Sequence, residues 1–187
     1  MSRRPSRREF AQTVVYTTLG SYLAFSTGAC RREPTLRRKS GAHAFFTEAQ
    51  FLTVSAACER LLPRDEDPGA IDLGVPVYVD RALAYDDYKH WSERFPHALA
   101  ALDRDAQEAC GQPFHLASAD VQDDILEDWE DGNEDQREFL QRLLHLTLEG
   151  AFGDPSHGGN KDGEGWRLIG FHPGDPMPGM HHHGGKA

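Results

Sequence analysis

Ten histidines and three cysteines are the side chains of this 187-residue chain with the most chemistry to offer, and their spacing decides how much of it is usable. His157 stands three residues after Asp154 and three before Asn160 in a glycine-dense stretch, where side chains on a tight loop can converge on a cation or a polar ligand. Asp and Asn also cap turns unaided, so the trio is expected as a bare turn in preference to an ion site. His181, His182 and His183, close to Met177 and Met180, offer donors for copper or nickel, but a flexible tail imposes no coordination geometry and selects poorly. His43, His90, His97 and His115 lack ligand partners at helical spacing and are expected on the solvated surface. His145, between Leu144 and Leu146, is expected as a hydrogen-bonded histidine at the margin of a core.

Cys30, Cys58 and Cys110 form no Cys-x-x-Cys, no haem-attachment motif and no iron–sulfur spacing. Cys58 is in helical register with Phe51, Val54 and Leu61, and Cys110 with Leu99, Leu102 and Ala106, so two buried free thiols are expected in preference to a bridge. The acidic pairs Asp86-Asp87, Asp123-Asp124 and Glu127-Asp128 read as solvated helix faces. No nucleophile elbow, phosphate loop or dinucleotide fingerprint is present, and Gly158-Gly159 lacks the preceding strand that an FAD site needs. The residues therefore predict no catalytic group, no cofactor site and no resident metal in this chain.

The first 39 residues carry nine Lys and Arg against two Asp and Glu, a net of +7, and the remainder carries 11 against 28, a net of −17. A body that acidic repels phosphate backbones, which argues against nucleic-acid binding. Ser6-Arg7-Arg8-Glu9-Phe10 precedes a mostly uncharged stretch from Ala11 to Ala29, the pattern of a bacterial twin-arginine export signal, with Arg7, Arg8 and Phe10 as its recognition residues. Nineteen residues diluted by Thr, Ser and Gln barely span roughly 30 Å of hydrocarbon, so a removed signal is expected instead of a membrane helix. Thr27-Gly28-Ala29-Cys30 fits both a lipobox, with Cys30 acylated, and an ordinary signal-peptidase site, and both enzymes would cut after Ala29. Arg31, Arg32, Arg37, Arg38 and Lys39 would reinforce a single acyl anchor at an anionic membrane surface. The expected location is the periplasm or the outer face of the cytoplasmic membrane.

These features divide the chain into a signal at 1–29, a basic linker at 30–44, a domain at 45–174 and a His/Met/Gly tail at 175–187 expected to be disordered. The domain is of ordinary single-domain size. Thr47-x-x-Gln50 is a capping box ahead of Phe51, Leu52, Val54, Cys58, Leu61 and Leu62, and Pro63 stops that helix. Pro76 suits the first turn of a second helix through about Tyr85. A third carries Phe95, Leu99, Leu102, Ala106 and Ala109, with Pro96 near its first turn and Gly111 as a left-handed cap. Ser118 and Asp120 open a fourth through Val121, Ile125, Leu126 and Trp129, closed by Gly132, and Phe139, Leu140, Leu143, Leu144 and Leu148 mark a fifth. The predicted fold class is therefore all-α, a small bundle of about five helices. After Gly150 the glycines and prolines leave little room for regular helix, while Trp166, Leu168, Ile169 and Phe171 give the segment apolar anchors.

Taken in order, Phe46-Thr47, Leu62-Pro63, Pro68-Gly69-Ala70, Phe114, Glu149-Gly150-Ala151-Phe152-Gly153-Asp154-Pro155, Gly158-Gly159-Asn160 and Gly165-Trp166-x-x-Ile169-Gly170-Phe171 resemble the small subunit, subunit 3 or gamma, of membrane-bound gluconate 2-dehydrogenase. His172-Pro173-Gly174 departs from that pattern, in which Pro-Gly follows the phenylalanine directly. The resemblance implies a non-catalytic subunit accompanying a large FAD-dependent flavoprotein of the glucose-methanol-choline type, with haem c or an iron–sulfur centre on further partners such as a cytochrome c subunit. It also implies that this leader carries both chains through the twin-arginine translocase. A glycine-rich segment with large apolar groups suits docking, which nominates Gly159, Asn160, Trp166, Ile169 and Phe171 as the partner-facing residues. For Trp166, closing the chain's own core is an equal alternative. A stand-alone periplasmic metal-binding protein or lipoprotein accessory is the rival function.

Overall fold

The computed structural model describes residues 43–174; Arg7, Arg8 and Phe10, expected to direct export, the cleavage site expected at Ala29/Cys30 and the histidine tail lie outside the described residues. Among the described residues six α-helices, joined in places by 3₁₀ turns, follow one another: α1 (Glu48–Leu61), α2 (Val75–Ala82), α3 (Lys89–Cys110), α4 (Ala119–Glu130), α5 (Glu134–Phe152) and α6 (Glu164–Ile169). Among the described residues there is no strand, and no helix is long and apolar enough to cross a membrane.

Local chemistry sets most boundaries. The Thr47 side chain accepts from the Gln50 amide and Gln50 answers at the Thr47 amide, the full capping box that starts α1. Asn133 and Gln136 build the same device at the head of α5, and Ser118 caps α4 through the Val121 amide. Gly111 closes α3 at φ 75°, where a side chain would be strained.

The core is one cluster around Phe95, Leu99 and Leu102 of α3 and Leu143 and Leu146 of α5, completed by Val54 and Cys58 of α1 and Val75 and Val79 of α2. Phe95 touches Phe139 edge-on at 5.0 Å and Phe139 touches Trp129 at 5.7 Å, which ties α3, α4 and α5 through aromatic edges.

Three expectations need correction. Helix α3 begins seven residues before Pro96, so that proline is interior; it removes one backbone donor, and the Ser92 hydroxyl turns back to the Lys89 carbonyl in the same stretch. Cys110 is exposed because the last turn of α3 runs past the core after Ala106, leaving Ala109 exposed as well, whereas Cys58 is buried as expected and both thiols are free. The glycine-rich segment does contain a helix: α6 fits six residues between Gly163 and Gly170, both left-handed at φ 71° and 68°.

Candidate docking site

The distinctive part of the molecule is where α5 ends. A helix leaves its last carbonyls without intrahelical donors, and a buried end must find them elsewhere. Here the following 20 residues supply them. The Asn160 amide donates to the Gly150 carbonyl at 2.6 Å, the Trp166 indole N–H donates to the Phe152 carbonyl at 2.8 Å, and Asn160 Nδ2 donates to the Gly153 carbonyl at 2.7 Å. Asn160 Oδ1 then accepts from the Gly165 amide at 2.9 Å. One fully buried asparagine, at φ 45°, thus joins the end of α5 to the start of α6.

The glycines around it are spacing elements. A Cβ on Gly159 would overlap the Gly150 carbonyl and one on Gly165 the Ala151 carbonyl, so the loop lies flat on the helix end. Gly150 is needed from the other side, where a Cβ would come within 2.9 Å of the Tyr78 ring of α2. The same loop is tied to the start of α2: the Lys161 amide donates to the Leu73 carbonyl at 3.0 Å, and Gly74 faces Gly158.

The nominated docking residues therefore separate into two groups. Gly159 and Asn160 are buried inside the chain's own fold, Gly159 packed against the Gly150 carbonyl and Asn160 bonded to Gly150, Gly153 and Gly165, so they hold the tail in place and offer no surface themselves. Trp166 and Ile169 are half-buried and Phe171 is exposed, its ring 5.3 Å from that of Trp166. Trp166 serves the chain's own fold, since its indole N–H donates to the Phe152 carbonyl. Phe171 is the tail's outward-facing aromatic.

The trio at 154, 157 and 160 does not converge. Asp154 accepts from the Ser156 amide at 2.9 Å, which holds its carboxyl below the usual range, and Asn160 is turned inward. Among the described residues no group of three His, Cys, Asp or Glu side chains is placed to hold a metal ion. His145 is partly exposed and meets Glu149 at 3.1 Å, the boundary role expected for it. Burial pushes the Glu149 carboxyl up, but the His145 bond, the Tyr78 hydroxyl at 3.1 Å and the nearby Arg142 charge outweigh it and hold it below its ordinary value. Asp123 stays on a partly solvated helix face and is also held by Arg60 of α1 at 2.7 and 3.1 Å.

Sequence reasoning missed Asp80. This α2 carboxylate is 4% exposed and accepts the backbone amides of Ala44, Phe45 and Phe46 at 2.6, 3.0 and 2.8 Å. It latches the first described residues onto a helix 34 to 36 positions downstream. The available signal was its phase: Val75, Val79 and Ala82 are buried, and an acid among them needed donors from somewhere.

One other concavity, of about 390 Å³, lies between α3 and the α4–α5 corner, with Trp91, Ala98, Ala101, Trp129 and Phe139 on its floor. Its polar rim is internally committed. Arg94 bonds Glu138 and Asp135 at 2.5 and 2.6 Å, and the Trp129 indole donates to Asp105 at 2.9 Å.

The fold and its capped glycine tail define a small all-α protein whose distinguishing structure serves its own assembly. The model of the gluconate 2-dehydrogenase subunit 3 family matches residues 48–174, and the chain belongs to that family. Comparison with curated proteins and with solved structures returns no match.

Proposed function

We propose that this chain is the non-catalytic small subunit of a membrane-associated, FAD-dependent sugar or sugar-acid dehydrogenase complex. It folds before export, binds the flavoprotein large subunit, and takes it through the twin-arginine translocase under the direction of Arg7 and Arg8. Catalysis belongs to the partner. The observation that carries this reading is the family match over 48–174, which takes in the helical body and the glycine tail together. The twin-arginine pattern ahead of that body supports the export role.

Docking uses the outward side of the tail. Phe171, stacked edge-on with Trp166 and backed by Ile169, is a large apolar group held on a rigid base, which lowers the entropy lost on binding.

The test is co-expression of the flavoprotein with and without this chain. Periplasmic flavoprotein is expected only with it, and equal amounts in both cases would end the proposal. Arg7→Lys with Arg8→Lys is expected to leave both proteins inside the cell.

A further inference from the structure

Acids outnumber bases 27 to ten between residues 43 and 174, so a cation there has carboxylates to choose from. Arg60, Arg64, Arg94, Arg104 and Arg167 each take one. Arg81, Lys89, Arg137, Arg142 and Lys161 make no ion pair among the described residues; Arg137 bonds the Gly132 carbonyl and Arg142 lies over the Trp91 ring, and of the others Arg81 and Lys161 are exposed and close together.

Those two border the same glycine turn. The Arg81 guanidinium lies across Gly158, in the space a side chain at that position would occupy, and the Lys161 stem stands beside Gly74. Val77, 38% exposed, precedes Arg81 by one turn on α2, and Ile71, 55% exposed, precedes Gly74. The base is stiff, because the turn is bonded to Leu73 and to the end of α5. Two cations without ion pairs and the exposed Val77 thus border one preorganised turn on an otherwise acidic body.

We propose that this edge docks an acidic segment of a second protein, with Arg81 and Lys161 receiving carboxylates and Val77 meeting an aliphatic or aromatic side chain between them. Charge selects the occupant: the rest of this chain's surface is anionic and would repel such a segment. The surface is separate from Phe171, and only the identity of the second protein rests on the dehydrogenase reading.

The test places a photo-crosslinking phenylalanine analogue at Val77 in the full chain expressed in its native host, with a second at Leu116, 61% exposed on another face, as the reference. A crosslink from position 77 to an acidic peptide is expected. Its yield should drop at least about tenfold in Arg81→Glu/Lys161→Glu and fall as salt rises from about 0.05 to 0.5 M, while Arg81→Lys/Lys161→Arg retains it. Lys161→Glu alone, which leaves the Arg81 stem on Gly158, should give part of the loss and guards against misfolding of the double variant. If the crosslinked protein is the flavoprotein, both readings stand. If it is a different protein joined through an acidic peptide, the docking surface stands with that protein as its occupant, and the dehydrogenase reading, which docks at Phe171, is left to the co-expression test. No crosslink, a crosslink to a second copy, or a yield indifferent to charge reversal overturns the proposal.

Discussion

Asn160 spans the gap from α6 back to Gly153, donating to that carbonyl at 2.7 Å with one end of its amide while the other end accepts from Gly165. Both ends are therefore specified, and no other side chain of similar size offers a donor and an acceptor in that arrangement. Asn160→Asp replaces the donor with an oxygen facing the Gly153 carbonyl. Its expected cost is about 2 kcal/mol or more, a fall in melting temperature of roughly 5 to 10 °C. Thermal melts followed by circular dichroism check it, and an unchanged midpoint would remove Asn160 from the role given to it.

Asp80 makes a comparable prediction at the other end of the domain. Asp80→Asn keeps the shape but exchanges one acceptor oxygen for a donor against three backbone amides. Charge-assisted bonds of this kind contribute about 1.5 to 3 kcal/mol. Hydrogen exchange should show the amides of residues 44 to 46 losing protection first, while those of α5 keep theirs. Uniform loss across all helices would mean that the latch is not local.

Glu149 predicts an acid-sensitive joint. Its folded carboxyl sits below the ordinary value of 4.5, so its stabilisation is fully present above pH 4.5 and is lost as pH falls through the lower folded value. Glu149→Gln should flatten that limb of the stability curve while leaving the neutral region nearly level. Urea midpoints measured from pH 7 downward read this directly, and an acid limb identical in both proteins would contradict the assignment.

The two thiols of the domain should behave oppositely. Burial pushes Cys58 from 9.0 up to about 12, against the Thr147 hydroxyl that donates to its sulfur at 3.5 Å, whereas Cys110 is exposed at the end of α3. Iodoacetamide followed by peptide mapping should mark Cys110 in the folded protein and Cys58 only after denaturation. Because the folded value of Cys58 is the higher one, its contribution is complete below pH 9 and declines as pH rises toward 12.

How much of this was legible beforehand follows from how local each determinant is. The Thr47 capping box, the Ser118 cap and the Gly111 stop act within four residues, and each falls where the sequence placed it. Pro96 misled because proline at a first turn is a good local rule, while the true start of α3 is set by Trp91 and Phe95 packing into the bundle. The glycine tail was recognisable as special, but not its purpose. The density of glycine suggested open backbone for a partner, whereas Gly159 and Gly165 are small because this chain's own α5 lies against them. Asp80 was silent because its partners are distant in sequence, and no periodicity reports on such pairings.

The latch at Asp80 also imposes an order in time. A chain emerging from the ribosome presents residues 44 to 46 long before residue 80 exists, so the opening stretch of the domain must wait, its amides facing water, until α2 has formed. Residues 44 to 46, the earliest described part of the domain to be made, therefore cannot settle before residue 80 has been made.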